Sequence, residues 1–139
     1  VRVVLDSNIL ISGLMSANSP PAQILNALRA GQIVAVMSEA TLAELEQVLQ
    51  RPAVRRYFNH SGITPDAFLA DLRLHADLMI PIATTTAIRD EQDRPFLDLL
   101  ATIPPPQYFV TGDKGFEASH YNGVPVISAA EFVRLLRRR

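Results

Sequence analysis

Asp6, Asp93 and Asp113 stand where an acid can do more than solvate a surface. Asp6 ends the apolar run Val1-Arg-Val-Val-Leu5, and Asp113 follows Tyr108-Phe-Val-Thr111 after a single glycine. Asp93, with Asp90 nearby, precedes Pro95 and the stripe Phe96, Leu97, Leu99 and Leu100. Glu44 and Glu46 flank the two margins of a helical stripe made by Leu42, Leu45, Val48 and Leu49, and periodicity does not choose between them. Carboxylates gathered in one pocket repel and raise one another's pKa unless a cation sits among them. An all-oxygen donor set suits Mg²⁺ or Mn²⁺. Such an ion most often serves phosphate chemistry, because it polarises a phosphoryl oxygen, activates water and steadies the leaving oxygen. Ser7, Asn8 and Thr111 beside these acids can hydrogen-bond a carboxylate or a metal-held water without adding charge. His60, His75 and His120 lack metal-ligand spacing and stand apart from the set. Plainer roles compete at each position. Asp6 and Asp93 suit helix N-caps, and either Glu suits a solvated helix face.

The elements that must position these acids follow from pattern. Val1 to Leu5, rich in Val and almost wholly apolar, reads as a strand covered on both faces. A short helix over Ile9 to Met15 and a second over Ala22 to Arg29 follow, the second closed by Gly31. Ile33 to Met37 is a brief strand, and Ser38 caps a helix that ends before Pro52. Thr64-Pro-Asp66 opens a helix expected to run to about Leu78, with Phe68, Leu69, Leu72 and Ala76 inward. Leu78 to Ile82 is expected as a weak strand. Pro104-Pro-Pro106 ends the helix after Asp93, and Tyr108 to Thr111 is a second clear strand. Val124 to Ile127 is the last strand, placed at the sheet edge because of Pro125. Ser128 and Glu131 form a capping-box pattern for a final helix with Phe132, Leu135 and Leu136 inside. Strands alternating with helices indicate a three-layer α/β fold with a mainly parallel sheet and right-handed crossovers. In such a sheet, carboxyl strand ends and helix N-termini share one edge, so acids far apart in sequence converge there.

Composition narrows the partners. The length, 139 residues, fits a single domain over 1–139. Apolar content of 48% against 19% charged residues indicates a globular chain rather than a disordered one. Thirteen basic residues nearly balance fourteen acidic ones, which argues against coating nucleic acid by bulk charge and leaves local recognition open. Twelve of those thirteen are Arg, the residue suited to forked contacts with phosphate. There is no cysteine, so disulfides and thiolate chemistry are excluded. No apolar run approaches a membrane span and no signal-peptide pattern opens the chain, so a cytoplasmic location is expected.

Four stretches together resemble the acidic motifs of PIN domains. They are Val3-Val-Leu-Asp6-Ser-Asn8-Ile-Leu, Ser38-Glu-Ala-Thr-Leu-Ala-Glu44-Leu, Asp90-Glu-Gln-Asp93-Arg-Pro-Phe-Leu and Phe109-Val-Thr-Gly-Asp113-Lys. Gly123-Val-Pro-Val-Ile-Ser128 and Glu131-Phe are similar to the usual last strand and helix of that family. The resemblance runs through essentially the whole chain in order and spacing. It implies a Rossmann-like fold and a Mg²⁺- or Mn²⁺-dependent ribonuclease, and it selects Glu44 over Glu46. It further implies that Asp6 and Asp113 are direct metal ligands and that Asp93 binds the same or a second ion. Glu44 would be a ligand or a holder of metal-bound water, with Asn8 and Thr111 orienting these acids and Asp90 secondary. Many small members are toxins of toxin–antitoxin pairs, so an antitoxin partner and a homodimer are expected alongside an RNA substrate. The chain departs from the family pattern at Arg94-Pro95, where a polar pair is common, and at Gln92, where another Asp is frequent.

Two other readings compete. A phosphatase of the haloacid dehalogenase type also ends its first strand in Asp, but it needs a second Asp two residues on as acid–base, and here that residue is Asn8. A non-catalytic domain could keep the fold and the acids while only binding RNA or a partner.

Overall fold

The first strand, β1 (Arg2–Leu5), occupies the centre of the sheet and is buried on both faces, as its continuous apolar run requires. The computed structural model describes residues 1–112, 116 and 118–138. Val3 and Leu5 join one half of the core and Val4 the other, the alternation that a strand's two-residue period imposes.

Chain order then runs through α1 (Ser7–Met15), α2 (Pro20–Arg29), β2 (Val34–Met37), α3 (Glu39–Val48), α4 (Pro52–Ser61), α5 (Pro65–Leu74) and β3 (Ala76–Leu78). A 3₁₀ turn at Glu91–Asp93 leads into α6 (Arg94–Leu100), followed by β4 (Tyr108–Val110), β5 (His120–Tyr121), β6 (Val124–Ile127) and α7 (Ala129–Arg137). Among the described residues the sheet has the order β3-β2-β1-β4-β6-β5, parallel throughout except for β5 against β6. One core layer packs α1, α2, α3 and α7 against β1 and β2, with Ile24, Leu28, Leu42, Leu45, Leu49 and Phe132 almost wholly buried. On the opposite face α6 presents Phe96, Leu97, Leu99 and Leu100 to Val4, Val36 and Phe109. The expected three-layer, mainly parallel α/β architecture is what the chain adopts.

Local chemistry explains most element boundaries. Ser19, Ser38, Thr64 and Ser128 each accept an N–H of the helix they precede. Gly31, at φ +76°, turns the chain after α2 in the left-handed conformation that costs glycine little. Gly13 serves packing instead. A Cβ there would stand 2.6 Å from the Pro21 carbonyl oxygen and 2.9 Å from Leu25 Cδ1, so its absence lets α1 and α2 close on each other.

Several expectations need correction. The helix opened by Thr64 stops at Leu74, not near Leu78, because Ala76–Leu78 is drawn into a parallel ladder on β2, with Ala35 opposite Ala76. The strand expected at Leu78–Ile82 therefore lies earlier, and Met79–Ile82 falls outside any strand. Pro125 does not mark the sheet edge: β6 lies between β4 and β5. The proline is tolerated because the ladder to β4 starts one residue later, with Phe109 opposite Val126. The true edge there, β5, follows from Asn122-Gly123, whose φ values of 52° and 80° make a two-residue hairpin turn. In the last helix Val133 is buried while Leu135 and Leu136 are half-buried. Its capping box is half formed, with the Glu131 N–H donating to Ser128 Oγ at 3.2 Å.

Candidate carboxylate cleft

Asp6 is fixed from two directions. Leu5 pairs with Val110, so the next residues, Asp6 and Thr111, emerge side by side at the carboxyl edge of the sheet. The Thr111 hydroxyl donates to Asp6 Oδ2, and the Ile9 N–H donates to Oδ1 at 2.9 Å. Asp6 thus does cap α1, yet it stays oriented toward the neighbouring strand and is only 5% exposed. The two roles coexist.

Glu44 comes from the middle of α3 and Asp93 from the start of α6, and both line one narrow cleft with Asp6. Ser7, Asn8, Val48, Arg51, Phe96 and Phe116 complete the lining. The cleft encloses about 30 Å³. Since a water needs roughly 10–15 Å³, that is space for an ion or a couple of waters and not for an organic cofactor. Its apolar wall is an aromatic cluster: Phe116 meets Phe109 edge-on at 4.7 Å and Phe96 edge-on at 6.5 Å. Such walls keep the dielectric low and strengthen every charge interaction inside.

Glu44 registers that environment. Burial raises its pKa above 4.5, and the carboxylates of Asp93 and then Asp6 push it further up. A long hydrogen bond from Ser7 Oγ at 3.5 Å and the charge of Arg51 work in the opposite direction. Glu46, the alternative, is exposed and lines a separate depression with Leu49, Gln50 and Pro65 on the outer side. The α3 helix therefore turns Glu44 inward, which the helical wheel alone left open.

Asp93 occupies the position before α6, but its side chain makes no capping hydrogen bond. The preceding 3₁₀ turn already holds its backbone in a helical conformation, and Asp90 does the capping there, accepting the Gln92 N–H at 2.9 Å. Asp93 is thereby turned to the cleft while Asp90 is not part of the lining. Arg94, one of the departures in this stretch, points elsewhere. It forks onto Glu91 at 2.6 and 3.0 Å and donates to Thr84 Oγ1 and the Thr86 carbonyl. One turn on, Asp98 accepts from the Thr84 N–H and hydroxyl. Arg94 and Asp98 thus strap the Thr-rich segment onto α6 and leave the cleft alone. Pro95 sits in the first turn of α6, where its missing N–H costs nothing.

Asn8 lines the cleft from the exposed first turn of α1. Asp113 lies outside the described residues. Among the described residues no three His, Cys, Asp or Glu side chains are close enough together to hold a metal ion. The donor chemistry nevertheless fits a hard divalent cation: three carboxylates, small hydroxyl and amide groups, and no sulfur or imidazole in the lining. Arg51 was not anticipated from the sequence. Helical spacing does not single it out, because α3 ends at Val48 and Arg51 stands outside it as the N-cap of α4.

An uncharacterized protein of Methanocaldococcus jannaschii is 27% identical over 117 residues, covering 82% of this chain and 72% of that protein. No solved structure matches the chain at a significant level. No helix among the described residues is long and apolar enough to cross a membrane. The PIN domain family model matches residues 2–115, a stretch containing β1 through β4 and all four acids, and the chain belongs to the PIN domain family, whose members are generally nucleases that use divalent metals.

Proposed function

We propose that this chain is a Mg²⁺- or Mn²⁺-dependent endoribonuclease that cleaves RNA phosphodiester bonds with activated water. The observation that carries the reading is the convergence of Asp6, Glu44 and Asp93, from three separate elements, on one small cleft where Glu44 is held above its ordinary pKa. A divalent ion supplies positive charge for phosphoryl oxygens and acidity for water in such a setting. Asp6, held by Thr111 and the Ile9 N–H, is the pre-oriented ligand. Asp93 is the second, and Asp113 joins them on the strength of the family motif. Glu44, the acid whose pKa burial and then the neighbouring carboxylates raise, holds a water or accepts its proton. Asn8 at the mouth orients a water or a phosphoryl oxygen by hydrogen bonding.

The same resemblance supports a role as the toxin of a type II toxin–antitoxin pair acting in the cytoplasm, with a small antitoxin as partner and a homodimer as the assembly. Basic side chains from an antitoxin would meet the carboxylates of the cleft.

Incubation of the purified protein with RNA in Mg²⁺, in Mn²⁺ and in chelator tests the enzymatic reading. Cleavage is expected with either ion and none in chelator; RNA retained but uncut in all three would instead favour a binding domain. Co-purification of a small partner encoded beside this chain tests the toxin reading, which harmless overexpression of an active nuclease would contradict.

A further inference from the structure

The carboxylate cleft opens beside a basic helix. Val54 and Phe58, one turn apart on α4, are buried in the core, with Tyr57 packed partly against it. Burying that face leaves Arg55 and Arg56 exposed, as is Arg51 immediately before the helix. Arg51 is the N-cap of α4 and Arg55 lies one turn on, its N–H donating to the Arg51 carbonyl at 2.9 Å. Arg51 also lines the cleft, and its charge reaches Glu44. Three other arginines are committed: Arg2 to Asp77, Arg29 to Asp71, Arg94 to Glu91. Among the described residues Arg51, Arg55 and Arg56 form no such ion pair. A chain of net charge −1 has thus placed one guanidinium group, that of Arg51, in the lining of its carboxylate cleft, with Arg55 and Arg56 on the helix that Arg51 begins.

An acidic cleft repels a polyanion, and a cation at its rim offsets that repulsion. We propose that Arg51 and Arg55 form a phosphate rail for the RNA strand. Arg51 grips the phosphate next to the one lying in the cleft, and Arg55 holds the following phosphate one helical turn away. Guanidinium groups suit this role because they present paired donors to phosphate oxygens. The assignment rests on the nuclease reading and names the residues that position its substrate.

Fluorescence anisotropy with a labelled single-stranded oligoribonucleotide, in chelator so that nothing is cut, measures the rail directly. Arg51→Ala and Arg55→Ala are each expected to weaken binding about tenfold. Each should also lower the slope of log K against log salt by about 0.7, the value for one phosphate contact on a single strand. Arg51→Lys should keep the slope while losing part of the affinity. Arg73→Ala should change neither, since α5 carries this exposed residue toward the opposite edge of the sheet. In the metal-loaded protein Arg51→Ala should raise KM with little change in kcat. Where Arg51→Ala loses its fold, Arg51→Gln carries the same expectation. Wild type that binds and cuts RNA, with Arg51 and Arg55 variants of unchanged affinity and slope, overturns the rail and leaves the nuclease reading standing. Wild type that neither binds nor cuts overturns both.

Discussion

Thr111 shows how one hydroxyl can set the behaviour of a buried acid. It reaches Asp6 only because β1 and β4 are in a register that sets Leu5 against Val110. Thr111→Val keeps the shape and removes the hydroxyl that donates to the buried Asp6 Oδ2. That variant should lose about 1–3 kcal/mol of stability in denaturant titration. If Asp6 is the ligand proposed above, metal affinity or cleavage should fall about 10–100-fold; an unchanged metal affinity would show that Thr111 only packs. Glu44 gives a pH signature. Its pKa is raised, so between 4.5 and the raised value the folded protein holds more protons than the unfolded chain. Stability therefore falls as pH rises through that window, and the penalty persists above it and vanishes below 4.5. In chelator, Glu44→Gln should be more stable than wild type at neutral pH, with the difference closing in acid. A Glu44→Gln variant less stable than wild type at pH 7 would contradict this electrostatic account.

The elements place these residues by ordinary means, and they were unequally legible. Ser38, Thr64 and Gly31 announced their helix ends by type and position, and the structure follows them. The α4 helix was overlooked although Pro52 opens it, Gly62 at φ +78° closes it and Val54 and Phe58 stand at i, i+4. Arg-rich and polar on the outside, it has little apolar signal over most of its length. The stop of α5 at Leu74 was not legible locally, because what ends it is the pull of Ala76–Leu78 onto β2, a partner about forty residues earlier. At the site, the position of Asp6 at a strand end was readable from pattern. Arg51 was not, because it lies beyond the end of α3 and its meaning depends on where α4 turns. Gly13 offers a test at this scale. Gly→Ala in a helix normally gains stability, yet here the new Cβ would press on the Pro21 backbone carbonyl. Gly13→Ala should destabilise the protein by about 1–3 kcal/mol in denaturant unfolding. A stabilised variant would mean that α1 and α2 are packed less tightly than described.

At the scale of the whole molecule, the parallel sheet is what converts scattered acids into one site. β1 and β4 are neighbours although about a hundred residues separate them, and α3 and α6 deliver Glu44 and Asp93 from opposite layers. No sequence window shows that meeting; only the alternation of strands and helices predicts a shared edge. Gathered acids repel, so the folded state carries an electrostatic cost that a bound cation would relieve. Mg²⁺ or Mn²⁺ should therefore raise the thermal midpoint, by an amount equivalent to about 2.7 kcal/mol at a hundred times Kd. The rise should disappear in Asp93→Asn, as scanning calorimetry would show. Equal rises in both proteins would place the ion elsewhere. The central claim, that these converging carboxylates cut RNA, is tested most directly by incubating total RNA with purified wild type and Asp6→Asn side by side in Mn²⁺ and mapping the ends produced. Asn can still cap α1 through its side-chain oxygen, so the variant should fold as wild type does. Discrete cleavage ends are expected with wild type and none with Asp6→Asn of identical circular dichroism. Equal cleavage by the two folded proteins would contradict that claim.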